Sequence, residues 1–287
     1  MSSVLYQADG RIARITLNRP EVLNAIDGEM PALISTAVAR ANADPAVHVI
    51  VLGGAGRSFC AGYDLTYYAQ GTNEVSQPMP WDPMKDYAFM SANTDHFMSL
   101  WRSHKPVIAR VQGHAVAGGS DIALCCDFVV MAEDAQIGYM PARVWGCPTT
   151  AMWVYRIGAE RAKRMLLTGD KIDGREAAAM GLVLKAVPSA DLENEVEALA
   201  QRMASVPVNQ LMMQKMVVNQ AIEAQGLAET QRLATIFDGI TRHSPEGIAF
   251  KERAEKVGWK QAVEERDAGT WDWTGQSSME NPTRNGD

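Results

Sequence analysis

Five short apolar segments, rich in β-branched residues, punctuate the first two thirds of the chain. They are "RIARITL" (residues 11–17), "VHVIVLGG" (47–54), "PVIARVQG" (106–113), "DFVVMAED" (127–134) and "LVLKAVP" (182–188). Their length and their bounding Gly, Pro and Asp residues mark strands, and the weak alternation in the middle ones marks strands covered on both faces. Between them, "GEMPALISTAVARANAD" and "DYAFMSANTDHFMSLWRSH" place apolar residues three and four apart, the helical period. Strands alternating with helices predict an α/β core with mostly parallel pairing. After Pro188 the strand pattern stops, and "ADLENEVEALAQRMA", "NQLMMQKMVVNQAI", "GLAETQRLATIFDGI" and "PEGIAFKERAEKV" read as successive amphipathic helices. The segment 70–85, with prolines at 78, 80 and 83, reads as a loop, and the polar stretch 274–287 as a frayed end. The expected organisation is therefore a core over residues 1–188, a helical region over 189–260 and a poorly ordered tail over 261–287.

A chain of 287 residues with 47% apolar content can bury a sizeable core. Its formal net charge of −7 argues against nucleic acid or an anionic membrane as the main partner, since both reward a basic face. Cys60, Cys125, Cys126 and Cys147 show no CxxC spacing, so free thiols in a reducing, cytoplasmic setting are expected rather than disulfides or a zinc site. The first residues lack a basic segment followed by a long apolar one, and no run of about 18 apolar residues occurs. Neither secretion nor membrane spanning is expected.

Chemistry is concentrated in two glycine-containing turns, "GGAGRSFCAGYDL" after the second strand and "QGHAVAGGSDIALCCD" after the third. Glycine lets backbone approach a ligand closely, and a helix that starts inside such a turn directs unpaired N–H groups outward. Two such turns on neighbouring strands can aim two N–H groups at one oxygen, which is the arrangement that stabilises an enolate or a tetrahedral intermediate. Taken singly, each turn is better read as a tight strand-to-helix connection; the two together, at equivalent places in successive units, favour the donor pair. Other glycine motifs do not fit: neither turn has the lysine of GxxxxGK[ST], "GAGRSF" ends in Phe59 where GxGxxG needs glycine, and "GGSDI" has Ile122 where GxSxG needs glycine.

With these residues in view, "ITLNRPEVLNAID", "SFCAGYDL", "VQGHAVAGGSDIALCCDFVVMAEDAQIGY" and "RAKRMLLTGDKIDGREAAAMGLVLKAVP" resemble the enoyl-CoA hydratase/isomerase (crotonase) family in order and spacing, from about residue 4 to about residue 257. The resemblance implies an α/β fold, a spiral of ββα turns followed by a C-terminal helical trimerisation region. It also implies assembly as a homotrimer or dimer of trimers and a coenzyme A thioester substrate; no separate cofactor or metal is expected, because the sequence shows no ligand cluster or dinucleotide motif. It assigns the two oxyanion N–H donors to Tyr63 and Gly118, and places Ala61, Gly62, Asp64 and Leu65 along the CoA, with Gly119 beside the second donor. Asp121 falls at the place of the family's first catalytic glutamate, three residues beyond Gly118; on spacing alone it is equally a first-turn carboxylate that favours the helix dipole.

The chain departs from the family pattern in two places. Asp121 is one methylene shorter than glutamate, and the place of the second glutamate is held by Pro141, which has no proton to give or take. Arg143 is a candidate substrate-binding residue and a candidate ion-pair partner for Asp121, a pairing that would hold that carboxylate ionised. His114 is expected to be structural, Glu133 and Asp134 to be solvated turn residues, and the methionines of "LMMQKMVV" to be core or subunit contact. Lys251 and Arg253 are candidates for the CoA phosphates. The expected activity is hydration of an enoyl-CoA through a stabilised thioester enolate. The alternatives are double-bond isomerisation, decarboxylation or thioester hydrolysis on the same fold, or acyl-CoA binding without turnover.

Overall fold

The computed structural model describes residues 2–69 and 77–270. All five expected strands form, as β2 (Ile12–Leu17), β3 (Val49–Gly54), β4 (Val107–Val111), β6 (Phe128–Ala132) and β9 (Lys185–Val187). They are neighbours in one parallel array, β2-β3-β4-β6-β9, and the edge strand β1 (Val4–Asp9) adds to β2 in antiparallel fashion. Every residue of β3 is buried, in keeping with a parallel strand covered on both faces. Three short strands lie outside this sheet: β5 (His114–Val116) and β7 (Gln136–Gly138) pair in parallel, and β8 (Lys171–Asp173) joins β7 in antiparallel fashion. Each successive strand of the large sheet thus sends its chain through a shorter strand or a helix before the next, which winds the core.

Helices α1 (Met30–Ala43) and α3 (Pro83–Trp101) match the periodic segments, with the single turn α2 (Leu65–Tyr68) between them. Of the expected loop 70–85, residues 70–76 lie outside the described residues. Its end is helical, because Asp82 caps α3 by accepting the N–H groups of Met84 and Lys85, and Pro83 occupies the first helical position. Helix α4 (Gly118–Leu124) follows β5 directly and is wholly buried. Helices α5 (Met152–Thr168) and α6 (Gly174–Ala179) complete the core.

The four C-terminal segments form α7 (Leu192–Ala204), α8 (Val208–Glu223), α9 (Leu227–His243) and α10 (Pro245–Val257). A further helix, α11 (Trp259–Ala268), runs through the expected boundary at residue 260, so the stretch 261–268 is ordered helix and not tail. Arg253 of α10 holds it through two hydrogen bonds to the Glu265 carboxylate, at 2.8 and 2.6 Å. The remainder of the expected tail, 271–287, lies outside the described residues.

One buried ion pair fastens the helical region to the sheet. Lys215 of α8 donates to Asp127 Oδ2 at 2.7 Å and to the carbonyls of Leu100 and Lys105, while the same Asp127 oxygen accepts the Val107 N–H at the start of β4. Removing the cation leaves a buried carboxylate without its counter-charge. Lys215→Met is expected to lower the unfolding free energy by about 3–5 kcal/mol in urea titration. A loss below about 1 kcal/mol, the range of an exposed pair, would contradict this account.

Candidate active site

The two glycine turns meet in space. Cys60 forms a β-bridge with Ala115 of β5, and Tyr63 forms one with Ile26, so the first turn is pinned on both sides. A Cβ built on Gly119 would lie 2.3 Å from the Cys60 carbonyl oxygen, and one on Gly62 would lie 2.8 Å from Ala117 Cβ and 3.4 Å from the Gly118 nitrogen. Gly62 also has φ +92°, which side-chain-bearing residues rarely adopt. Side chains at these positions would push the turns apart.

Ala117 links β5 to α4 at φ 51°, ψ −129°, a strained conformation for an L residue. The strain turns the Gly118 N–H out at the start of α4. Among the described residues, no backbone carbonyl accepts the N–H of Tyr63 or of Gly118. Two adjacent, unengaged donors are the geometry that a developing oxyanion requires.

Ala61, Tyr63, Leu65, Gly118 and Asp121 line one cavity, whose wall is extended by Tyr68, Met90, Tyr139, Trp145 and Trp259. The wall is thus largely apolar and aromatic. Trp145 has φ 85°, is buried, and leaves its indole N–H without an acceptor. Gly62 and Gly119 act through the contact between the turns. Asp64 does not line the cavity: it accepts the Thr66 N–H as the cap of α2 and is salt-bridged to Arg19 at 3.0 Å.

Asp121 projects from α4 into the cavity and is 4% exposed. Thr150 Oγ1 donates to its Oδ1 at 2.6 Å. Burial pushes its pKa up to about 8; the Thr150 hydrogen bond opposes the shift, and the charge of Asp238 adds to it.

The expected pairing of Arg143 with Asp121 does not form. Arg143 donates to the carbonyls of Thr168 and Asp267 and lies 3.7 Å from the Asp170 carboxylate, so it ties the chain after β7 to α5 and α11 and is not part of the cavity wall. Without that cation, Asp121 is driven towards its neutral form rather than held ionised.

His114 meets Ser58 at 3.2 Å, and burial lowers its pKa. Glu133 pairs with Arg175, Asp134 accepts from Ser189, and Arg253 is engaged by Glu265. Lys251 sits 3.6 Å from Glu255 on its own helix. Pro141 lies on a short 3₁₀ turn, Met140–Ala142, with its ring in the cavity wall.

One acidic residue of the site escapes sequence reasoning. Asp238, on α9, lines the same cavity, with Oδ1 accepting the Cys147 N–H at 2.9 Å and Oδ2 engaged by Arg242. Arg242 in turn grips both oxygens of buried Asp86, at 2.6 and 2.7 Å. The only local signal is the Asp238/Arg242 spacing of four residues, which usually marks a solvated helix face. Among the described residues, no cluster of three or more His, Cys, Asp or Glu side chains is suited to a metal ion.

A family profile described as enoyl-CoA hydratase/isomerase matches residues 7–262. A putative enoyl-CoA hydratase of Thermus thermophilus is 33% identical over 250 residues, covering 85% of this chain and 96% of the relative. A probable enoyl-CoA hydratase of Rhizobium meliloti is 31% identical over 267 residues, covering 88% and 97%. Among solved structures, an enoyl-CoA hydratase from Mycobacterium smegmatis superposes with a TM-score of 0.89 at 46% identity, covering 94% of each chain. An enoyl-CoA hydratase/isomerase from Xanthobacter autotrophicus gives 0.86 at 31% identity, covering 94% and 99%.

The raised pKa of Asp121 has a consequence for stability. The folded chain holds that proton up to about pH 8, whereas an unfolded aspartate releases it near about 3.9. The contribution is therefore complete below the unfolded value and is lost as pH rises through about 8. Asp121→Asn keeps an acceptor for Thr150 but never charges. By scanning calorimetry its Tm is expected to exceed that of the wild type at about pH 9 by a clearly larger margin than at about pH 5. An equal margin at both pH values would mean that Asp121 ionises freely.

Proposed function

The chain belongs to the enoyl-CoA hydratase/isomerase (crotonase) family and has its hydratase-like function, and on that premise we propose that it adds water across a 2-enoyl-CoA, using Tyr63 and Gly118 as the oxyanion donors and Asp121 as the acid that protonates Cα. The observation that carries this reading is the junction of the two turns, with two unengaged N–H groups next to a buried, protonated carboxyl.

The thioester carbonyl accepts from both N–H groups and becomes a sink for the electrons displaced when water adds at Cβ. The enolate then collapses, and Cα takes the proton of Asp121. A carboxyl group with a pKa of about 8 is largely protonated near neutral pH and is matched to donation there. The aromatic and aliphatic wall formed by Tyr68, Met90, Trp145 and Trp259 favours an apolar acyl group.

Self-association is part of the proposal. On α9, Leu233, Ile236, Phe237 and Ile240 are exposed on one stripe, and Met213, Met216 and Val217 are exposed on α8. An apolar stripe of this size on a water-facing helix suits contact with another copy of the chain, in the trimer or dimer of trimers that the family pattern implies. Among the described residues, no helix is long and apolar enough to cross a membrane. A cytoplasmic location fits the four free thiols.

The direct test is incubation with a panel of 2-enoyl-CoAs in ¹⁸O-labelled water, followed by mass spectrometry. The expected result is gain of one labelled water, with CoA still attached. Release of free CoA would indicate hydrolysis, and exchange at carbon without addition would indicate isomerase chemistry. Asp121→Asn is expected to lower kcat by roughly 10²- to 10⁴-fold while acyl-CoA binding persists. Phe237→Glu is expected to shift the sedimentation of the protein towards the single chain; an unchanged sedimentation coefficient would move the subunit contact elsewhere.

A further inference from the structure

Hydration moves two protons: one leaves the attacking water and one arrives at Cα. Asp121 supplies the second, and Pro141 has no atom that takes the first. We propose that Asp238, reaching the cavity from the C-terminal helix α9, is the base that receives the proton of the attacking water. This inference rests on the hydration reading given above.

Four observations carry it. Asp121 and Asp238 are the only acidic side chains in the cavity wall among the described residues, and they come from different elements, α4 and α9. Asp238 also stands beside the proline. A Cβ built on Gly146 would lie 3.0 Å from Pro141 Cβ, 3.1 Å from the Tyr139 hydroxyl and 3.4 Å from Asp238 Oδ1, so all three groups close in on the same glycine.

The Asp238 carboxylate is held in a fixed orientation. The Cys147 N–H fixes one oxygen, Arg242 fixes the other, and Asp86 fixes Arg242 with two hydrogen bonds. Reacting groups held in this way avoid much of the orientation cost of proton transfer. The last observation concerns α9 as a whole. It buries Gln231, Thr235, Asp238 and Arg242 while exposing Leu233, Ile236, Phe237 and Ile240. Turning a charged face inward is costly unless the charges are paired, and here Asp238 and Arg242 are paired at the cavity wall.

The electrons balance as follows. One O–H bond of water breaks and its proton goes to Asp238, the Cβ–O bond forms, and the π pair moves through Cα to the thioester oxygen held by Tyr63 and Gly118. The enolate re-forms the carbonyl as the Asp121 O–H bond breaks and the Cα–H bond forms. Asp238 then carries the extra proton and Asp121 has lost one, and exchange with water after product release restores both.

Asp238→Asn keeps the side-chain shape and an acceptor for the Cys147 N–H. Hydration kcat is expected to fall roughly 10²-fold or more with KM little changed. Exchange of the α-protons of a saturated acyl-CoA in deuterated water, which calls on Asp121 and the N–H pair, is expected to persist. Asp86→Asn weakens the hold on Arg242 but leaves the cavity carboxylate in place, so its kcat is expected to fall, as for a positioning residue, by clearly less than that of Asp238→Asn. Asp238→Glu preserves the charge for Arg242 and advances the carboxylate by one methylene, so it tests position even where the asparagine variant does not fold; reduced kcat at unaltered KM is expected.

Wild-type kcat in either Asp238 variant would overturn the assignment while leaving the hydration reading intact. Equal losses in Asp86→Asn and Asp238→Asn would also overturn it, because the role would then be structural. A wild type that hydrates no 2-enoyl thioester would overturn both.

Discussion

The close approach of Gly62 to Val116 and Ala117, and of Gly119 to the Cys60 carbonyl, is the constraint from which the rest of the site follows. Parallel strands β3 and β4 put the two turns side by side. That placement alone would leave several ångströms between their backbones, because Cβ atoms would hold them apart. Glycine removes the obstacle, and the β-bridge between Cys60 and Ala115 locks the contact. The strained Ala117 persists because this lock over-determines it, and its φ/ψ orients the donor at Gly118. The reactive geometry is thus held by backbone, which does not change rotamer.

Around that backbone frame the charges are arranged by burial. Asp121 has a hydroxyl partner and no cation, so desolvation keeps its proton on. Asp238 has Arg242, and Arg242 has Asp86, so that pairing reaches from α3 to α9 through the cavity wall. Two aspartates of identical chemistry are thereby given different surroundings within one pocket. The ion pair of Lys215 with Asp127 works at a distance from the pocket, but it fixes α8, which leads into the helix that carries Asp238, against the start of β4 and the residue before β6.

What could be read from the sequence follows the strength of local periodicity. β2, β3, β4 and β6, at five or six residues each, are long enough and apolar enough to announce themselves, and β9 lies inside the longer apolar segment 182–188, whereas the edge strand β1, largely exposed, is not among the expected strands. β5, β7 and β8, at three residues each, contain too little chain to display a period of two. Helix α11 is missed because "WKQAVEERDA" has only a narrow apolar stripe, and its order comes from Arg253 and Glu265, a contact that spans two helices. Asp121 is legible because it sits at a fixed offset from a glycine pair. Asp238 is not, because nothing in α9 distinguishes the charged face that turns inward from the one that would usually turn outward. Its apolar residues suggest the buried side, and the structure places them on the surface. The pairing of Arg143 with Asp121 fails for a similar reason: nearness in sequence does not report that Asp170 and the end of α5 lie within reach of Arg143 and engage it instead.

The cavity wall draws on residues as far apart as Ala61 and Arg266. A chain is synthesised from its N-terminus, and its domains fold as units as they emerge. The parallel strands of the large sheet can be added in the order in which they are made, because their spatial order is their sequence order. The pocket cannot be assembled in that way. Until α9 to α11 have left the ribosome, Asp121 faces a cleft open to water on one side, and the desolvation that holds its proton is absent. A partial chain therefore has the two joined glycine turns without the wall that encloses Asp121, and it shows its neighbours the unclosed cavity. The enclosing wall is complete only once α9 to α11, residues 227–268, have been made.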